Sequence, residues 1–176
     1  MVVRERRIVV GVSQSLAGLA ALRHAVREAR HREAPLYAVR AWALPSHWRG
    51  PAATAWQREL RAEARRYVVE AFHAAGAGPS DLDVLVATPN GRADEVLVEA
   101  ADHERDLLVL GGPGGRLGRW PGWIVRGCLA TAACPVIVVP PPHVLRSTRR
   151  LTRRRLAREL DGLGADTGPA RGSPNR

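Results

Sequence analysis

Five short apolar runs, separated by segments of helical period, constrain this chain more than any other feature. Arg7-Ile-Val-Val-Gly-Val12 is continuous and β-branched, the pattern of a strand covered on both faces. From Ser15 the period changes. Leu19, Leu22, Val26 and Ala29 recur at helical spacing, with Arg23, Arg27, Glu28 and Arg30 on the other side. Ser15 itself reads as the N-cap of this helix. Pro35 stops it, and residues 36–43 return to strand.

The next helix carries an apolar stripe of Trp56, Leu60, Tyr67, Val68 and Phe72, and Gly76 and Gly78 end it. Residues 82–88 form a third strand. Residues 93–103 form a third helix, with Val96, Leu97, Ala100 and Ala101 facing inward. Asp106-Leu-Leu-Val-Leu-Gly111 is a fourth strand whose unbroken apolar run demands burial on both faces. A glycine-rich loop from Gly111 to Gly122, a short helix over 123–133 and a fifth strand over 135–139 complete the series.

Strands alternating with helices through short connections must lie parallel and cross over with right-handed chirality, so helices cover both faces of one sheet. Ligand sites in such sheets lie beyond the strand C-termini, where the winding direction reverses. Here Gly11-Val12-Ser13 and the Gly111 loop meet that condition.

A chain of 176 residues suffices for one such domain and a tail. Pro140-Pro141-Pro142 closes the domain, because consecutive prolines neither donate to a ladder nor continue a helix. The organisation is therefore an α/β domain over residues 1–140 and an arginine-rich tail over 141–176, part helix and part disordered. All 27 Lys+Arg residues are arginine. From His143 onward nine Arg face Glu159, Asp161 and Asp166, so the tail carries +6 of the total +10.

Several chemistries are excluded by residue type. A chain without lysine cannot hold a phosphate-binding loop of the G-x-x-x-x-G-K-[ST] form. There is no G-x-S-x-G elbow and no H-x-x-x-H pair. Ser13 and Ser15 at a strand-to-helix turn have no paired base, and no catalytic residue is assigned. Cys128 and Cys134 lack metal-ligand spacing and read as small buried residues, and the six histidines are dispersed, so no metal site is expected. The N-terminus shows no cleavable leader and no run is long enough to span a bilayer, so the expected compartment is the cytoplasm, with no membrane association.

The opening RIVVGV, the helix ALRHAVREA, the segments ADEVLVEAA and RDLLVLGGPG and the closing CPVIVVP, in that order, resemble the universal stress protein family. The resemblance implies a flavodoxin-like (Rossmann-like), doubly wound five-stranded parallel sheet of order 3-2-1-4-5 and a homodimer through the fifth-strand edge. It implies a non-enzymatic stress-response or regulatory role. It also implies adenine-nucleotide binding, ATP with Mg, at Gly11, Val12, Ser13, Ala41, Gly111, Gly114, Arg116, Arg119, Gly122 and Trp123.

The family's nucleotide-binding members carry an Asp after the first strand, and a loop of the form G-x-x-G, nine residues, then G-[S/T]. This chain has Ser13 for the Asp. Gly111 and Gly114 supply G-x-x-G, seven residues separate Gly114 from Gly122, and Trp123 follows where a hydroxyl residue would. Three readings stand side by side. One is a nucleotide site whose phosphates are held by Arg116, Arg119 and the last helix. Another is a nucleotide-free interaction scaffold with the pocket closed by Trp123. The third is a polyanion binder acting through Arg149, Arg150, Arg153, Arg154 and Arg155 of the tail, with steep salt dependence. Trp42, Trp48, Trp56, Trp120 and Trp123 are expected to gather at one rim of the sheet.

Overall fold

A computed structural model of the chain describes residues 6–44, 51–78, 80–112 and 122–142, with backbone alone at 51 and 52. Its strands are β1 (Ile8–Gly11), β2 (Leu36–Val39), β3 (Val84–Ala87), β4 (Leu107–Gly111) and β5 (Val136–Val139). The helices are α1 (Leu16–Arg32), α2 (Pro51–Ala75), α3 (Ala93–Ala100) and α4 (Trp123–Thr131). All four strand pairings are parallel and the order is β3-β2-β1-β4-β5, as the alternation and the family resemblance lead one to expect.

Both faces of the central strands β1 and β4 are buried, which is why they read as unbroken apolar runs, whereas Leu85 and Val86 of the edge strand β3 are exposed. Ile8, Val10, Leu36, Ala38, Leu107 and Val109 point to one face, under Leu22, Val26 and Ala29 of α1 and Val68 and Phe72 of α2. The intervening Val9, Val39, Leu108 and Leu110 point to the other, under Val96 and Leu97 of α3 and Val125 and Cys128 of α4. Leu22, Leu36 and Leu108 are wholly inaccessible, and burying each contributes about 2 kcal/mol of transfer free energy.

Local signals end the elements where chemistry requires it. The Ser15 hydroxyl accepts the Gly18 amide at 3.0 Å, and this caps α1. Glu33 takes a left-handed φ of 49° at the other end. Gly76, at φ 58°, turns the chain out of α2 in a conformation that a side chain would strain. The N-terminal strand is anchored by Arg7. Its guanidinium binds the buried Asp106 carboxylate at 2.6 Å and Asp102 at 2.7 Å, and its own amide donates to Asp106 at 3.1 Å.

Three expectations are corrected. The apolar stripe of α2 is core only in its C-terminal half, through Ala64, Val68, Ala71 and Phe72. Trp56 is 46% exposed and Leu60 only half-buried, because the first half of the helix has little sheet beneath it. β2 ends at Val39 rather than at Ala43. Beyond it Trp42 makes only an isolated parallel bridge to Asn90, and its indole N–H donates to the Thr88 carbonyl at 2.8 Å. The tryptophans do not form one cluster in the described residues. Trp42 is tied to the 88–90 segment, Trp56 lies on α2 and Trp123 beside Arg92, while Trp48 and Trp120 lie outside the described residues. Cys128 and Cys134 are buried free thiols, as their residue types suggest. Among the described residues no helix is long and apolar enough to cross a membrane.

Candidate functional site

The winding direction reverses between β1 and β4. α1 and α2 pack on one face, α3 and α4 on the other, so the helices diverge where these two central strands end. At that point three backbone segments meet with no side chain between them. A β-carbon on Gly111 would stand 2.8 Å from the Gly18 nitrogen and from the Ala17 carbonyl carbon. One on Gly18 would collide with the Ser13 carbonyl oxygen. Glycine at both positions therefore lets the end of β4, the first turn of α1 and the Ser13 peptide touch. Beside them the Gly112 amide donates to the Val139 carbonyl at 2.7 Å and the Val12 amide to the Val39 carbonyl at 2.9 Å, which extends the ladder past the strand ends.

Residues from β2 and α2 wall the other side of Ser13. The Gln14 amide donates to the Tyr67 hydroxyl at 2.8 Å, and the Gln14 side chain donates to Glu70 at 3.2 Å. The Arg40 guanidinium lies 4.1 Å from the centre of the Tyr67 ring, and Nη1 donates to the Val12 carbonyl at 3.4 Å. The Ser13 hydroxyl donates to Ser15 Oγ at 3.1 Å and accepts the Ser15 amide at 3.2 Å. Ser13 thus sits in a hydroxyl and main-chain setting with a guanidinium next door.

All four crossover helices start at this end of the sheet, and the two that follow the central strands β1 and β4 differ. α1 is sealed by its Ser15 cap and by Gly18 against Ser13. The N-cap of α4 is Gly122, which offers no side-chain cap, and no described residue stands within 4 Å of where its β-carbon would be. Among the described residues the first amides of α4 therefore have no side-chain acceptor. A crossover helix runs antiparallel to its flanking strands, so this N-terminus lies on the strand C-terminal side.

α4 is fixed by α3. The Asp94 carboxylate packs against Gly127, where a β-carbon would come within 2.5 Å of Oδ2, and it accepts from Arg92 at 2.9 Å. The Arg92 hydrogen bond holds the Asp94 carboxyl below the usual carboxylate range. Arg92 also lies 5.8 Å from the centre of the Trp123 ring. Trp123 is 56% exposed.

Of the residues singled out in the sequence, Gly11, Val12, Ser13, Ala41 and Gly111 lie at the C-terminal ends of β1, β2 and β4, and Gly122 and Trp123 open α4. Gly114, Arg116 and Arg119 lie outside the described residues, as does the tail from His143. Sequence reasoning missed Gly18, Arg40 and Tyr67. A glycine in the first turn of an otherwise strong helix is itself a signal. Among the described residues no group of three or more His, Cys, Asp or Glu could hold a metal ion. An open groove of about 520 Å³ beside β3, lined by Tyr37, Val86, Thr88, Arg61, Arg65 and Glu99 among others, contains none of the predicted site residues.

The profile of the Universal stress protein family matches residues 5–140. The chain belongs to the universal stress protein family. The universal stress protein UspA from Lactobacillus plantarum is 25% identical, with a TM-score of 0.59, and the match covers 78% of this chain and 99% of that one. A universal stress protein in complex with cAMP is 23% identical at a TM-score of 0.55, with 78% of this chain and 99% of that one covered. One from Archaeoglobus fulgidus is 20% identical at 0.51, over 77% and 99%. These likenesses establish the flavodoxin-like arrangement. No curated protein matches this universal stress protein significantly.

Proposed function

We propose that this universal stress protein is a non-enzymatic, cytoplasmic stress-response regulator that binds an adenine nucleotide where β1 and β4 diverge. The observation that carries the reading is the contrast between the helix starts that follow β1 and β4: α1 is capped by Ser15, whereas Gly122 gives α4 no side-chain cap and no described residue stands within 4 Å of its β-carbon position. An uncapped helix N-terminus favours phosphate through its free amides and partial positive charge. Gly111 brings main chain to the same end of the sheet. The fold is compatible with such a ligand, since one protein sharing it was solved with cAMP. Gly11, Val12, Ser13, Ala41, Gly111, Gly122 and Trp123 would contact the nucleotide, together with Gly114, Arg116 and Arg119. No carboxylate cluster is present among the described residues to hold Mg, so the ion would enter on the nucleotide's own phosphates.

In this reading residues 1–140 carry the function and 141–176 form an appendage. The chain pairs as a homodimer through β5, whose Val136, Ile137, Val138 and Val139 are only half-buried and have a strand partner on one side. Sedimentation that finds only monomer at high concentration removes the dimer.

The test is calorimetric titration of the full chain with adenine nucleotides, MgATP first, at moderate and high salt. A full-length variant with Arg149, Arg150, Arg153, Arg154 and Arg155 changed to Gln is titrated alongside. Saturable binding near one nucleotide per chain, insensitive to tail charge, supports the proposal. Binding that disappears with the tail charges or with salt transfers the function to the tail as a polyanion binder. No binding of any adenine nucleotide leaves an interaction scaffold.

A further inference from the structure

Arg40 is half-buried, stacked on Tyr67, and has no carboxylate partner among the described residues. The single hydrogen bond described for its guanidinium goes to the Val12 carbonyl at 3.4 Å, one peptide from Ser13. Most of its N–H donors therefore have no acceptor in the described structure. On the other side of that peptide stands the Ser13 hydroxyl, itself engaged with Ser15. The carboxylate described in this wall is Glu70, which is on α2 and accepts from Gln14.

Two vicinal ribose hydroxyls are bound best by a carboxylate, which accepts from both, whereas an arginine at the corresponding place suits a phosphate ester on the ribose. Among the described residues the β1–β2 end of the site carries a guanidinium whose donors are mostly unpaired and a hydroxyl, while its carboxylate, Glu70, is on α2 and is engaged by Gln14. A guanidinium held flat against an aromatic ring is pre-oriented for a planar, forked contact with phosphate oxygens.

We infer that Arg40, next to Ser13, selects nucleotides whose ribose carries a phosphate ester on its 2′ or 3′ oxygen, the 3′,5′-cyclic diester included, over nucleotides with a free ribose diol. The inference rests on the nucleotide reading above and narrows its ligand class. α4 then takes the 5′ side and Arg40 the ribose side of one ligand.

The test is a titration of the full chain with 3′,5′-cyclic AMP, 3′-AMP, 2′-AMP, 5′-AMP and MgATP, repeated with Arg40→Gln and Ser13→Asp. The expected result is that at least one ribose-phosphorylated nucleotide binds about tenfold or more tighter than 5′-AMP and MgATP. Comparison of the cyclic diester with the two monoesters identifies which form is taken. Arg40→Gln should abolish the preference while 5′-AMP binding persists, and Ser13→Asp should reverse it. The preference is a ratio within one protein, so a variant that is merely less stable does not imitate the outcome. Equal binding of diol and ribose-phosphorylated nucleotides, or a preference that survives Arg40→Gln, overturns this inference and leaves the nucleotide reading intact. Failure of every nucleotide in the panel overturns both.

Discussion

Gly111 and Gly18 meet main chain to main chain, with 2.8 Å between the place of a Gly111 β-carbon and the Gly18 nitrogen. The neighbour is backbone inside a capped helix and cannot swing away. Gly111→Ala should therefore cost about 1–3 kcal/mol of stability, the range for overpacking a tight site. Gly122→Ala, where no described residue lies within 4 Å, should cost less, about 0.5 kcal/mol from the poorer N-cap alone. Urea unfolding of the two variants at matched m-values checks the contrast.

Arg7 is the partner of an otherwise isolated buried charge. Asp106 is 1% exposed, and its carboxylate is held by the Arg7 guanidinium as well as by the Arg7 amide. Arg7→Ala strands that carboxylate and should destabilise the domain by about 3 kcal/mol, toward the low end for a broken buried pair because the amide bond survives. Arg30→Ala, which breaks a solvent-exposed pair with Asp81, should show no comparable loss. Denaturant midpoints of the two variants decide it.

Gly127 and Asp94 should be energetically coupled. Gly127→Ala drives a β-carbon into the Asp94 carboxylate and should lower stability by about 1–2 kcal/mol. In an Asp94→Gly background, which removes the Asp94 β-carbon at 2.8 Å as well as the carboxylate, the same change loses its clash and keeps only the gain in helix propensity, so it should stabilise by up to about 1 kcal/mol. A double-mutant cycle in which Gly127→Ala has the same sign in both backgrounds contradicts this arrangement. The pH dependence has a defined direction too. The Asp94 pKa is depressed below 3.8, so its contribution is present above that pH and is lost as the pH falls through the folded-state value.

Burial pushes the Cys128 thiol up to about 11, with Asp94 adding to the shift. A raised thiol pKa favours the neutral form in the folded state. That contribution is complete below the ordinary value of 9.0 and is lost as the pH rises toward 11. Thermal unfolding between pH 8 and pH 11 should fall more steeply for the parent than for Cys128→Ala. At about pH 8 a thiol reagent should modify Cys128 only on unfolding.

The sheet was legible because its two central strands are buried on both faces. That leaves Ile8–Val10 and Leu107–Leu110 no polar position, and helical periods fix the elements between. Ser15 was legible as a cap from residue type and place alone. The stripe of α2 misled, because Trp56 and Leu60 keep the same period as Val68 and Phe72. Periodicity reports a face of a helix and not how far the sheet runs beneath it. The Arg40–Tyr67 stack joins residues from β2's end and the middle of α2, and nothing in either local sequence requires it. Gly18 stood out only as an unfavourable helix residue, and its reason became visible once Ser13 and Gly111 were placed on either side of it.

The pairing of β1 with β4 joins segments about a hundred positions apart, as the Arg7–Asp106 bond at a sequence separation of 99 shows. β1, β2 and β3 can assemble from neighbouring chain, but this central seam closes only after that long loop has been paid for in entropy. The juncture of Ser13, Gly18 and Gly111 does not exist until the seam has formed. A ligand seated there would therefore bind only the completed sheet and would slow its opening, so occupancy would lengthen the protein's lifetime against proteolysis. Occupancy of that end of the sheet and the abundance of the chain would then rise and fall together.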